Sequence, residues 1–100
     1  MKPRLHPLAK ADLLHHARYL RKESADEAIA TTFAVEVRRA IERIEASPLT
    51  WSFARGSKRV RKVQIVRFRP QVFYVIRADG VPFILEFAGP GRRPRWGRRL

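Results

Sequence analysis

Lys58, Arg59, Arg61, Lys62, Arg67 and Arg69 stand on or beside one run of β-branched residues. Arg92, Arg93, Arg95, Arg98 and Arg99 crowd the last eleven positions, together with Trp96. Arginine's planar fork suits phosphate, and an indole gives a base something to stack on. The chemistry these residues could serve is recognition of a polyanion or, further, metal-free cleavage of RNA. Cleavage needs cations for the phosphorane charge, a base for the 2′-hydroxyl and an acid for the leaving oxygen. Cations abound here, but bases are scarce. Arginine stays protonated, and no histidine follows His16. Glu86 is the one carboxylate expected on the outer face of a sheet, with Lys62 or Lys58 as further proton-transfer candidates. His15 and His16 are neighbours in a helical pattern, about 100° apart, so they cannot chelate one ion and read as surface or boundary residues. No Ser/His/Asp arrangement, Walker loop or dinucleotide fingerprint is present, and neither a metal nor a cofactor is expected. The plainer alternatives are a solvated edge strand for the first cluster and a disordered tail for the second.

The charge is lopsided. Over 100 residues the net is +13. Residues 1–50 carry nine Lys/Arg against seven Asp/Glu, and residues 51–100 carry thirteen against two, Asp79 and Glu86. Such an excess attracts nucleic acid or acidic proteins. The length fits one domain, residues 1–100, with residues 97–100 as a loose basic tail. The 45 % hydrophobic content is enough for a folded globule. The absence of cysteine excludes disulfides and thiolate metal sites and fits a reducing cytoplasm. No signal-peptide core or apolar run of roughly 18 residues is present, so no membrane role is expected and a cytoplasmic protein is.

Several elements must position these groups. Pro3 and Pro7 bracket a short edge strand. Ala9, Leu13, Ala17 and Leu20 give one apolar helical face, with Asp12 near the start and Arg18, Arg21 and Lys22 near the end. Ser24-Ala25-Asp26-Glu27 reads as a capping box opening a second helix. Ile29, Phe33, Val37, Ile41 and Ile44 form its buried stripe, opposite a solvated face of Glu36, Arg38, Arg39, Glu42, Arg43 and Glu45. Ser47-Pro48 ends it. Residues 49–58 form a loop whose Trp51 and Phe53 should tuck back on the helices. Val60 to Phe68 reads as a strand broken by Arg69-Pro70. Val72 to Ile76 and Phe83 to Ala88 read as a hairpin about Asp79-Gly80.

A two-residue loop there pairs Ala78 with Val81, Ile76 with Phe83, Tyr74 with Leu85 and Val72 with Phe87 on a wholly apolar face. The opposite face then holds Arg77 and Glu86, and a three-residue loop would swap the faces on one strand. The expected fold is α+β: a helical hairpin packed on one face of a twisted, mainly antiparallel sheet, in the order β-α-α-β-β-β.

The chain resembles the RelE/ParE superfamily of bacterial type II toxins from about Leu5 to Trp96. The resemblance rests on Ala-Lys-Ala-Asp-Leu-Leu (residues 9–14), Ile41-Glu-Arg-Ile44 before Ser47-Pro48, and Val60-Arg61-Lys62-Val63. It continues through Val72-Phe-Tyr-Val-Ile-Arg-Ala-Asp-Gly80 and Arg92-Arg93-Pro94-Arg95-Trp96. Where many members have histidine and glycine before the closing arginines, this chain has Gly89 and Pro90. The resemblance implies a growth-inhibiting toxin, neutralised by an acidic cognate antitoxin within a toxin–antitoxin hetero-oligomer. It would act either on DNA gyrase, as ParE-like members do, or by ribosome-dependent mRNA cleavage, as RelE-like members do. Arg61, Arg77, Glu86, Arg92 and Arg93 are then the catalytic candidates. Lys58, Arg59, Lys62, Arg67, Arg69, Arg95 and Trp96 are the candidates for binding nucleic acid or a partner. The bases' scarcity leans towards the gyrase activity. The alternative is a non-toxic basic nucleic-acid-binding module. A basic groove on the sheet's outer face, shared by Arg61, Arg77 and the closing arginines, is the expected site.

Overall fold

The computed structural model describes residues 2–91 and 93–100. In chain order it contains β1 (Arg4–Leu5), α1 (Pro7–Glu23), α2 (Ile29–Ala46), β2 (Val60–Gln64), β3 (Gln71–Ile76) and β4 (Pro82–Ala88). A 3-10 turn, Trp96–Arg99, closes the chain. The two helices pack against a four-stranded mixed sheet ordered β1-β4-β3-β2, so the α+β architecture and the element order agree with the sequence reading. β1 runs parallel to β4, and the other neighbours are antiparallel.

Helix α1 starts on Pro7, whose missing N–H costs nothing in a first turn. His6 Nδ1 accepts from the Leu8 amide at 3.0 Å. Arg21 and Lys22 sit in its last turn. Helix α2 begins later than the Ser24/Glu27 capping box implied. Its N-cap is Ala28, with no side-chain cap; Ser24 and Asp26 hold the turn ahead of it, Asp26 Oδ1 accepting from the Ala28 amide at 2.9 Å and the Ser24 hydroxyl from Asp26's own amide at 3.1 Å. The box therefore never closes on Glu27.

On α2, Phe33, Val37, Ala40 and Ile44 are buried, and Ile41 packs beside them. Each large side chain contributes about 1.5–3 kcal/mol by leaving water. Glu36, expected in solvent, is buried instead, with its Oε1 3.2 Å from exposed Arg39 one turn on. The arginine lies over the carboxylate and spares it an unpaired burial.

Strand β2 stops at Gln64, four residues short of the expected Phe68. The Gln64 Nε2 amide sits among the carbonyls of Phe68 (2.7 Å), Arg69 (3.1 Å) and Pro70 (3.2 Å), sharing its two N–H groups among them, and so organises a turn where a strand was expected. Arg67 within that turn has φ +70°, a left-handed conformation uncommon for any residue but glycine.

The β3–β4 register also differs from the two-residue-loop expectation. Arg77 pairs back to Val81 across a three-residue loop, Ala78–Asp79–Gly80, with Gly80 at φ +81° and Asp79 Oδ1 accepting from the Val81 amide. Glycine in the third loop position suits this loop better than a two-residue turn. Ile76 therefore meets Pro82, Val75 meets Phe83 and Tyr74 meets Ile84. A bulge at Leu85-Glu86 then absorbs one residue, and Phe73–Glu86 and Val72–Phe87 pair as expected.

The result is two cores. One, under the helices, contains Val63, Ile65, Val72, Tyr74, Ile84 and Phe87. The other lies on the opposite face: Ala54, Val60, Phe73, Val75 and Leu85, with Phe83, Ala88 and Trp96 packed against them. That outer face, expected to be open and mixed, is thus partly roofed by residues from the 52–59 loop and the C-terminal segment.

Candidate functional site

The end of β4 is where the helices, the sheet and the C-terminal segment meet. β1 is only two residues long, so the Phe87 peptide groups that point to its side of β4 have no strand partner there. Buried backbone groups must find one elsewhere, and α1 supplies it. Asp12 Oδ2 accepts from the Phe87 amide at 3.1 Å, and His16 Nε2 lies 3.0 Å from the Phe87 carbonyl. A carbonyl oxygen can only accept, so Nε2 carries the proton in this contact. Asp12 and His16 are one helical turn apart, which is why both reach the same residue of β4.

Asp12 holds a second group. Arg99 Nη1 reaches its Oδ2 at 2.6 Å and also donates to the Leu85 carbonyl at 3.0 Å. Residues 97–100, expected as a loose tail, are therefore anchored through Arg99, whose side chain is only 8 % exposed. Glu86 fixes the same segment closer in. Its Oε1 accepts from the Arg95 amide at 2.7 Å, and the residue is buried. Glu86 is where the register expectation put it, but its carboxylate is spent on a backbone donor. Trp96 completes the attachment by packing on the outer core.

These contacts frame a cleft of ≈ 850 Å³ between α1, the 67–70 turn, the end of β4 and the C-terminal segment. Its lining brings together Arg67, Arg69, Arg93, Arg95, Arg99 and Glu86 with His15, His16 and Tyr19. The only ion pairs among the described residues are Asp12–Arg99 and Glu36–Arg39, so Arg67, Arg69, Arg93 and Arg95 face the cleft uncompensated. The sequence reading placed Arg67 and Arg69 beside a strand. The turn held by Gln64 is what carries them to the cleft.

The other candidates lie elsewhere. Arg61 is not on the outer face. It pairs in register with Tyr74, on the helix side, donates to the Trp51 carbonyl at 2.7 Å and lies 4.1 Å over the Phe53 ring. Phe53 itself is largely exposed rather than tucked on the helices, whereas Trp51 does pack there and donates to the Arg43 carbonyl. Arg77 lies 3.6 Å over the Phe83 ring on the outer face. Lys62 pairs with Phe73 on that face, one strand from Glu86. Lys58 and Arg59 are exposed just ahead of β2, at the opposite end of that strand from the 67–70 turn. Arg92 lies outside the described residues. The expected single groove uniting Arg61, Arg77 and the tail is therefore replaced by a cleft at one end of the sheet, with Arg61 on the helix side.

The sequence reading missed the α1 wall. Asp12, His15, His16 and Tyr19 fall on neighbouring helical positions, with steps of four from Asp12 to His16 and from His15 to Tyr19. Such a polar stripe beside the apolar Leu13-Ala17-Leu20 stripe is the signal that was available.

Burial also marks one titratable group away from the cleft. Tyr74, whose hydroxyl donates to the Pro48 carbonyl, has its pKa pushed up to about 12 by loss of water, with nearby Arg61 opposing the rise. No helix among the described residues is long and apolar enough to cross a membrane. No protein-family model and no curated protein matches the chain.

Proposed function

We propose that this chain is the toxin of a type II toxin–antitoxin pair of the RelE/ParE kind, arresting growth until an acidic cognate antitoxin covers it. The observation that carries the reading is the arrangement of its parts. Two helices pack on one face of a sheet in the order β-α-α-β-β-β, and a basic C-terminal segment folds back against the other face. The resemblance of the sequence motifs implies that order, and the uncompensated arginines offer an acidic antitoxin a surface to neutralise.

A ParE-like action on gyrase is favoured by the state of Glu86. Buried and held by the Arg95 amide, it is poorly available as a general base. A RelE-like cleavage of mRNA is favoured by one specific observation, the presence of the His15 and His16 imidazoles in the wall of an arginine-lined cleft.

Induced expression tests both. Growth should stop on induction and recover when an acidic antitoxin encoded in a neighbouring reading frame is co-expressed. Transcript profiling and a gyrase supercoiling assay then separate the activities. Blocked supercoiling with intact messages selects the first, and cut messages with unaffected gyrase select the second. Growth unaffected by strong expression would rule out the toxin and leave a basic nucleic-acid-binding module.

A further inference from the structure

We infer that His6 is a pH-sensitive latch: its neutral imidazole holds β1 and the first turn of α1 to β4, and its protonation releases them. The residue joins sheet to helix through its backbone and its ring alike. Its amide donates to the Ile84 carbonyl at 2.8 Å, which extends the short β1 along β4. Its carbonyl accepts from the Ala9 and Lys10 amides at 2.9 and 3.1 Å, the bonds that start the helix. Its Nδ1 accepts from the Leu8 amide at 3.0 Å, and its ring lies 5.8 Å from that of Phe83. Pro7 has no N–H to satisfy. Leu8 is therefore the first-turn donor that depends on the imidazole.

Only the neutral ring can serve as this cap. With Nδ1 accepting, the neutral ring carries its proton on Nε2. The imidazolium has a proton on both nitrogens and no acceptor left. Two donors then face each other, at the end of the helix where the macrodipole disfavours a cation. Neighbouring charge deepens the conflict. Arg77 lies 3.6 Å over the same Phe83 ring, Arg4 pairs in register with Phe83 from β1, and Lys10 follows on α1. The carboxylates of the elements around His6 are taken. Helix α1 has none in its first turn, and Asp12 holds Arg99 and the Phe87 amide. Glu86 on β4 accepts from the Arg95 amide, and Asp79 in the hairpin loop from the Val81 amide.

Imidazole changes charge between about pH 5 and 8, so the cap is present at the upper end of that range and lost at the lower. His16 does not share this logic, because it donates to the Phe87 carbonyl and a protonated ring still donates. Opening has a structural consequence. β1 pairs with β4 alone, over two residues, so fraying of the first turn uncovers the β4 edge at Phe83 and Ile84. The latch stands at the start of β4, away from the cleft at its end, and does not rest on the toxin reading.

The test is amide hydrogen exchange of the full chain, read by NMR as protection relative to an unstructured peptide. Between about pH 7.5 and pH 5, protection of Leu8 should fall about five-fold or more, the loss expected from a missing cap. His6→Asn supplies a cap that does not titrate and should hold that protection level. His6→Ala should be poorly protected throughout, and His15→Gln should keep the pH dependence of the native chain. Nitrogen shifts of the His6 ring give a readout that needs no variant: Nδ1 should be unprotonated at the upper pH. A proton on Nδ1 there would overturn the latch. So would Leu8 protection that does not change with pH, or a pH dependence that survives in His6→Asn.

Discussion

Removing the Asp12 carboxylate should cost more stability than removing the arginine it holds. Asp12→Asn preserves the shape, and its amide oxygen can still accept from Phe87. Arg99 then faces a neutral amide oxygen in place of the carboxylate and keeps the Leu85 carbonyl, 3.0 Å away, with a side chain 8 % exposed. Stripping a buried charge of its partner costs about 3–5 kcal/mol when burial is complete, and a hydrogen bond to a charged group contributes about 1.5–3 kcal/mol. Asp12 is 21 % exposed, so water can relieve part of the loss. The expected cost is therefore about 2–3 kcal/mol. For a domain of this size that lowers Tm by roughly 10–20 °C. Arg99→Met removes the cation and keeps much of the packing. Asp12 then retains the Phe87 amide and some water, so the cost should be about 1 kcal/mol. The double variant should be little worse than Arg99→Met alone, which gives a coupling of about 2–3 kcal/mol. Urea unfolding, followed by far-UV circular dichroism and tryptophan fluorescence, measures all four corners of the cycle. Losses that add to within about 0.5 kcal/mol would refute the reasoning, because independent sites add and this pair should not.

Two further outcomes follow from the same contacts. Glu86→Gln keeps an acceptor for the Arg95 amide and should leave both stability and growth arrest nearly unchanged, whereas Glu86→Ala frees that amide and should raise its hydrogen-exchange rate at least ten-fold; loss of growth arrest in Glu86→Gln with normal folding would instead give the carboxylate a proton-transfer role. Tyr74, raised from 10.0 to about 12, should make stability fall at high pH. Below about pH 10 the hydroxyl is protonated in both states and contributes no slope. Between about pH 10 and 12 the unfolded chain loses its proton first, so up to about 2–3 kcal/mol is lost. Tyr74→Phe should flatten that portion of the urea-unfolding profile, and an unchanged profile would count against the burial argument.

How far the fold could be read from the residues depended on the range of the interactions involved. The α2 stripe of Phe33, Val37, Ile41 and Ile44 packs inward because a 3.6-residue period is local and repeated. The Ser47-Pro48 stop holds for an equally local reason, proline's missing N–H. Departures begin where one side chain overrides its neighbours. Asp26 displaces the capping box, and Gln64 gathers three carbonyls into a turn. Glu36 escapes solvent by lying under Arg39. The hairpin is more instructive: its three-residue loop was the alternative that swaps faces, and the bulge at Leu85-Glu86 swaps them back. Glu86 therefore keeps its expected partner, Phe73, while Leu85 goes to the outer core. Two local irregularities nearly cancel, and a pattern of alternating residues carries no trace of either.

The candidate site was legible as charge but not as geometry. The arginines were visible, yet Arg67 and Arg69 reach the cleft only because β2 stops early, and Arg93 and Arg95 reach it only because the C-terminal segment is held. That holding spans 87 positions in sequence, from Asp12 to Arg99. Helix α1 thus acts both as a wall of the cleft and as the anchor of the segment opposite it. Asp12 and His16 satisfy Phe87, Asp12 also fixes Arg99, and His15 and Tyr19 are left facing the open space. Loosening Arg99 should therefore do more than destabilise the chain. By freeing Arg93 and Arg95 it should weaken any ligand that needs all four arginines, even though Arg99 itself need never touch that ligand. Arg99→Met should therefore speed hydrogen exchange at the Arg95 amide, and an unchanged rate would show that Glu86 and Trp96 hold the segment without Arg99.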